Sequence, residues 1–515
     1  MTGFPRRTCA RGASLLLGLV LLFSVCGRRP KALTILYTND IHATCHPLKA
    51  AWLEGSMPVG GFVAAEREVG RARASCSASL LLDVGDLLSG GPLSSLVDAG
   101  IRGGHMLRFM NALGYDAMAV GNHDLDHGVD DLAAASNAAA FPLLAANIRA
   151  RDGGLLVGPG STILRRGGLR VGVIGLATPS VVQLVSRETA ARLTVQPPAE
   201  TADSLARLLD PRTDLLIVLS HCGLEIDRLL AQRLGPTVDL IVGGHSHDLL
   251  EVPERENGVL IVQAGSKLLN LGRLDLLVLR DRIVDYRASM ILLRDTQPSG
   301  RGSRAVAALA ESLNTVLEEA YGDTVGHLDA PLTRSYDSEC TLGNWVADAL
   351  RWYAKTDVAL VNSGTLRADL AAGPLTVRDI RDALPFENTV VSFSCTGRQL
   401  ASVLRHNAEA ALAKSHGILQ VSGCSCRLHG VGTGARMDAY VGGAPLQPEG
   451  SYTCATIDFV AVQGPQKYLG FVPRDVYDHS VLCSHAVEQA ARASVVARST
   501  VQGRLVLDAA EGERR

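Results

Sequence analysis

Asp40-Ile41-His42, Gly85-Asp86, Gly121-Asn122-His123-Asp124, Ser220-His221 and Gly243-Gly244-His245-Ser246-His247 all fall in the first half of a 515-residue chain. Together they offer carboxylates, imidazoles and a side-chain amide, the donors that divalent cations accept. They suffice for two ions, and ions about 3.5–4 Å apart are a recurrent arrangement for hydrolysing phosphate esters. Asp40 and His42 lie two apart, so on extended backbone both can face one way, and His247, again two residues on from a ligand, can face the other ion. The predicted partition puts Asp40, His42, Asp86 and His247 on one ion, and Asp86, Asn122, His221 and His245 on the other. His123 directly follows a ligand and is expected to point toward substrate. Asp126, three residues on at a helix start, would orient its imidazole. A His held this way can stabilise a transferring phosphoryl group. Each motif alone also suits a turn or a cap, so their recurrence carries the reading.

The elements that must position these residues are apolar runs at 33–37, 80–84, 117–120, 143–146, 171–176, 215–219, 240–242 and 259–262. Near-continuous apolar runs suit strands buried on both faces of a layered α/β domain. The motifs close these runs, where α/β domains place their ligands. Gln297-Pro298-Ser299-Gly300 interrupts the pattern, and residues 305–320 then carry apolar positions at helical spacing. The predicted organisation is a catalytic domain over 30–296, a linking helix over 297–322, a second mixed α+β domain over 323–507 and a tail over 508–515. The second domain should hold a helix around 343–353, a strand at 358–361 and a β portion after Leu419.

Composition narrows the function classes. Hydrophobic residues make up 47% and charged residues 20%, as in a globular protein, and the net charge is −2. Polymeric nucleic acid is held by Lys/Arg clusters, which are absent beyond the first 31 residues, so no nucleic acid polymer is expected as partner. Residues 1–29 place Arg6, Arg7 and Arg11 before an apolar run over 13–25, a secretory leader pattern too short for a membrane span. Phe23-Ser24-Val25-Cys26 resembles a lipoprotein processing site. Export to a periplasmic or cell-surface location is therefore expected, with a lipid on Cys26 as the only membrane attachment. Eleven cysteines do not fix the redox state, and the lack of a Cys-x-x-Cys pair argues against a thiolate zinc site.

Beyond the motifs themselves, residues 33–505 resemble the exported 5′-nucleotidase family of calcineurin-like metallophosphoesterases. The resemblance implies a four-layer sandwich of two β-sheets flanked by helices, followed by a nucleotide-binding C-terminal domain. It implies that Asp86 bridges two divalent ions, which could be Zn, Mn, Co or Mg, and that His123 and Asp126 form the catalytic dyad. Asn362-Ser363-Gly364-Thr365-Leu366-Arg367 is similar to the family's Asn/Gly/Arg segment, whose Arg contacts the substrate phosphate. Leu384-Pro385-Phe386-Glu387-Asn388 and Asp458-Phe459 are similar to segments whose rings stack on a nucleobase. The substrate-binding set so implied is Asn122, Asn362, Arg367, Phe386, Asn388 and Phe459. Without the family, Phe386 and Phe459 read as core residues.

The chain departs from the family at three places. Asp124-Leu125 stands for Glu-Phe beside the dyad, Gln463-Gly464-Pro465-Gln466-Lys467 for a Gly-Gly-Asp-Gly turn, and Tyr336 for an Arg before Glu339. Phosphoryl chemistry is thus expected more firmly than nucleoside specificity. The expected activity is removal of the 5′-phosphate of nucleotides by metal-activated water. The alternatives are a UDP-sugar or dinucleotide pyrophosphatase, a 2′,3′-cyclic nucleotide phosphodiesterase, a thiosulfohydrolase, or a non-catalytic surface lipoprotein.

Overall fold

The apolar run that begins at Leu33 becomes the strand Lys31–Thr38, fully buried from Leu33 onward. Its side chains alternate between faces. Leu33, Ile35 and Tyr37 enter a core shared by two sheets, while Leu36 enters a second core beneath helices. The same division recurs along the other predicted strands, which explains why they carry no polar face. The computed structural model describes residues 29–49, 58–235, 237–294, 304–414, 417–430, 435–493 and 500–508. The expected leader with Cys26, the start of the linking segment and the end of the tail lie outside the described residues.

Two six-stranded sheets stack face to face. The first runs in the order Ile283–Leu292, Asn270–Val278, Lys31–Thr38, Ser79–Asp83, Ala117–Ala119, Leu143–Leu144. The second runs Ser161–Arg166, Leu169–Ala177, Leu215–His221, Leu240–Gly243, Val259–Val262, Glu254–Glu256. Helices Phe62–Ser75 and His105–Leu113 cover the outside of the first sheet, and Pro198–Leu209 and Leu224–Leu234 cover the second, giving the four layers predicted. The central strands of each sheet pair in parallel, so their carboxyl ends gather at one edge. Every ligand motif sits at such an end.

The second half contains a five-stranded sheet, ordered Leu419–Ser422, Val358–Asn362, Ser451–Ile457, Thr389–Thr396, Tyr477–Leu482, and a four-stranded sheet. Helices Thr341–Ala354 and Gly397–Leu412 pack into the core with these strands. Helix Arg304–Tyr321 buries Val306, Leu313 and Leu317 in the first half's core beside Phe62 and Phe109. Among the described residues, no helix is long and apolar enough to cross a membrane.

Two local expectations are corrected. Asp40 and His42 are not on extended backbone: the strand ends at Thr38, and the two residues take left-handed φ values of 52° and 53°. They converge through a turn. Asp126 does not start a helix either. It ends the short turn His123–Leu125, three residues before the helix Val129–Ala138.

Candidate active site

Six of the predicted ligands fall into two groups, Asp40 with His42 and His247, and Asp86 with His221 and His245. Within each group the ligating atoms lie within 4.8 Å of one another. Asp86 Oδ2 stands between the groups, 3.2 Å from His221 Nε2 and 3.9 Å from His42 Nε2. Asp40 Oδ1 is 3.3 Å from His247 Nε2. The centre closes tightly around Asp86: a Cβ added to Gly121 would lie 2.1 Å from Asp86 Oδ1.

The donor set fits divalent cations. His42 Nδ1 donates to the Ser89 carbonyl (3.0 Å) and His221 Nδ1 to the Val84 carbonyl (2.7 Å). Such backbone contacts fix the tautomer and leave each Nε2 lone pair facing the centre. His221 Nε2 and Asn122 Oδ1 are buried with no hydrogen-bond partner among the described residues. Buried polar atoms left this way call for a partner, and a cation supplies one. Burial pushes His245 down to about 4, helped by His221, so this imidazole is a neutral donor. Burial opposes charge on His221 too, but Asp86 outweighs it and raises His221 to about 10.

Backbone contacts pin the ligands. Asn39 Nδ2 donates to Asp40 Oδ2 (2.7 Å), and its Oδ1 accepts from Ala264 N–H (2.8 Å). His245 N–H donates to Asp40 Oδ2 (2.9 Å). Asp124 accepts from four backbone N–H groups, those of Asp86, Leu87, Leu88 and Gly121, at 2.8–3.0 Å. The Asp124 position, where the family usually has Glu, thus clamps the Asp86 loop to the Asn122 loop. Asp40, His42, Asp86, His245 and His247 all have left-handed φ, between 52° and 75°. Non-glycine residues seldom adopt this conformation, and its concentration at one centre is strain held by the surrounding layers.

His123 stands beside the ligands and is held by Asp126. Its Nδ1 donates to Asp126 Oδ2 (2.8 Å), and its backbone N–H donates to Asp86 Oδ1 (2.7 Å). Burial opposes protonation of His123, but Asp126 and Asp86 prevail and hold its pKa above the usual value. Its ring lies 5.3 Å from that of His42.

The second half reaches this centre through two of its predicted residues. Arg367 Nη2 donates to His42 Nε2 (2.7 Å), and Phe386 stacks on His123 at 5.1 Å and 20°. Arg367 also lies 5.6 Å from the centroid of the Phe386 ring. Phe386 follows the helix Val377–Ala383, whose start is fixed by a reciprocal Thr376/Asp379 cap. Asn362 ends the strand Val358–Asn362, and its Oδ1 accepts from Thr365 Oγ1 (2.7 Å). Asn388 precedes the strand Thr389–Thr396, and its carbonyl accepts from Cys483 N–H. Phe459 packs against Tyr468, with ring centroids 6.0 Å apart. Phe386 and Phe459 therefore meet different partners.

Several residues at the centre escape a reading of motifs. Asn39 acts through its side-chain amide and Asp124 through backbone N–H groups, and neither carries metal-ligand spacing. Lys267 is buried, its N–H donates to the Asp40 carbonyl (2.7 Å), and burial pushes its ammonium down to about 7. Tyr336 has Arg334 5.1 Å from its ring centroid. Burial works to raise the Tyr336 pKa, but Arg367 and Arg334 together lower it.

A family model described as calcineurin-like phosphoesterase matches residues 33–249, and one described as 5′-nucleotidase, C-terminal domain, matches residues 323–469. A 5′-nucleotidase of Vibrio vulnificus is 27% identical over 484 residues, covering 84% of this chain and 85% of the relative. The endonuclease YhcR of Bacillus subtilis is 25% identical over 464 residues; the match covers 85% of this chain but only 37% of that longer protein. The crystal structure of a 5′-nucleotidase precursor from Thermus thermophilus superposes with a TM-score of 0.81 at 27% identity, covering 93% of this chain and 99% of that one.

Proposed function

Because the chain belongs to the 5′-nucleotidase family of metal-dependent phosphoesterases, we propose that it removes the 5′-phosphate of small nucleotides in the cleft between its two halves. The observation that carries this reading is a single juxtaposition. His123 lies within ring contact of His42 on one side and Phe386 on the other, while Arg367 reaches His42 from the second half. His42, the His123/Asp126 pair, Arg367 and Phe386 thus lie together, as this reading needs.

Asp40, His42, Asp86 and His247 would hold one divalent cation, and Asp86, Asn122, His221 and His245 the other. Such ions, when bound, act as Lewis acids on phosphate oxygens and make water a better nucleophile. The remaining chemistry belongs to the chain. Asp126 occupies His123 Nδ1, so Nε2 is the atom presented to the phosphate, and the raised pKa keeps a proton there for the developing charge. Asn122 offers its amide to a phosphate oxygen. Arg367 would turn from His42 Nε2 to the phosphate, for which its planar fork is suited. Phe386 and Phe459 would bracket the base, with Asn362 and Asn388 lining the same wall. Export, with a lipid on Cys26, rests on the N-terminal pattern alone.

The test is phosphate release from AMP in the presence of Mn²⁺, Zn²⁺, Co²⁺ or Mg²⁺, compared with UDP-glucose and 2′,3′-cyclic AMP. A clear preference for AMP is expected. Preference for UDP-glucose or the cyclic nucleotide would replace the monoesterase reading with one of its alternatives, for which Tyr336 and the altered turn at 463–467 leave room.

A further inference from the structure

The helix Leu224–Leu234 buries Leu224, Leu230, Ala231 and Leu234 against the second sheet, and on that same apolar face stands Asp227. Its side chain is fully buried, and neither carboxyl oxygen meets hydrogen-bond geometry with any described residue. The Ser220 hydroxyl is equally buried and likewise outside strict hydrogen-bond geometry, yet it lies close enough to Asp227 to pull its pKa down. Ser220 pairs with Gly243 on the neighbouring parallel strand. A Cβ on Gly243 would stand 2.3 Å from Asp227 Oδ2 and 3.0 Å from Gln263 Nε2, so the carboxyl occupies the space over that glycine.

These residues are the immediate neighbours of the ligands. Ser220 precedes His221, Gly243 lies two before His245, and Gly244 N–H donates to the Ser220 carbonyl (2.9 Å). Successive side chains on a strand point to opposite faces, so Ser220 points away from the face on which His221 meets Asp86.

We infer that Asp227 is the positioning residue of the Asp86/His221/His245 ion site, its carboxyl acid group bracing the two strand ends from behind. Burial pushes its pKa up to about 8 against the opposing pull of Ser220, in keeping with a neutral acid able to donate a hydrogen bond to a neighbour. Shape and a donor are then what the site needs, and negative charge is not. The inference rests on the two-ion reading given above.

The experiment is a Co²⁺ titration of the full chain, followed by calorimetry and by visible absorption, with melting temperatures measured alongside. Wild type should bind two ions; if it binds fewer, the two-ion reading fails before Asp227 is at issue. Asp227→Asn, neutral and a donor, should bind both ions within about threefold of wild type. Asp227→Ala should weaken one ion at least tenfold, alter its absorption band and leave the other ion unchanged. Ser220→Ala should move the same ion in the same direction by less, which keeps the inference open to test should Asp227→Ala not fold. It is overturned if Asp227→Ala lowers the melting temperature with both ions bound as in wild type, if both ions weaken equally, or if Asp227→Asn fails as badly as Asp227→Ala.

Discussion

The ion rim and the substrate wall of the cleft are built in opposite ways. The rim stands at the ends of parallel strands, and its ligands are fixed by the Asn39 side chain on Asp40 and by backbone N–H groups that Asp124 holds. The wall is assembled from a turn after Val358–Asn362, a loop after Val377–Ala383 and a tight helical turn at Phe459–Gln463. Loops over a rigid scaffold tolerate change better than the scaffold does. Two of the three departures follow that division, Tyr336 and the turn at 463–467 altering the wall; the third, Asp124-Leu125, falls in the rim, where Asp124 still clamps the Asp86 loop. On the proposed function, reaction type and substrate choice would be governed by separate parts of the molecule.

The comparison can be broken most directly at Asp86. Asp86→Asn should lower kcat/KM by about 10⁴-fold on both AMP and p-nitrophenyl phosphate, since loss of a shared ligand removes several kcal/mol of charge stabilisation. Steady-state kinetics with equal loss on both substrates would support the rim's indifference to the base, and near wild-type activity in folded protein would refute it. His123→Ala should cost about 10²–10³-fold in kcat, again on both substrates, as expected for loss of an acid–base group. Arg367→Ala comes next, with KM for both substrates raised by the loss of a charged hydrogen bond worth about 1.5–3 kcal/mol. The smallest effect sharpens the comparison most. Phe459→Ala should weaken AMP by about 1–3 kcal/mol of stacking and leave p-nitrophenyl phosphate unchanged. Phe386→Ala should disturb both substrates, because that ring also supports His123.

The rim was legible in the sequence because its two requirements are local. An apolar run predicts a buried strand, and an Asp, Asn or His at its end predicts a ligand. Six of the seven proposed ligands gather in two groups, and His123 meets Asp126. What sequence could not provide was conformation that cancels between neighbours. Nothing in Asp40-Ile41-His42 announces left-handed φ, so alternation on an extended strand was the natural and incorrect expectation. Contacts between the halves were equally hidden, since Arg367 and His42 are 325 residues apart. Asp227 did leave a trace, as an acid on the apolar stripe of a helix at 224, 227, 230, 231 and 234, a pattern that simple amphipathicity does not explain.

The left-handed ligands have a consequence for the chain's history. At a non-glycine residue that conformation costs about 1–2 kcal/mol, which glycine avoids. Five such residues around one centre mean that drift toward stability alone would erase the ligands and relax the turns in the same step. A glycine at Asp40, His42, Asp86, His245 or His247 would thus relieve backbone strain and remove a proposed ligand in one change.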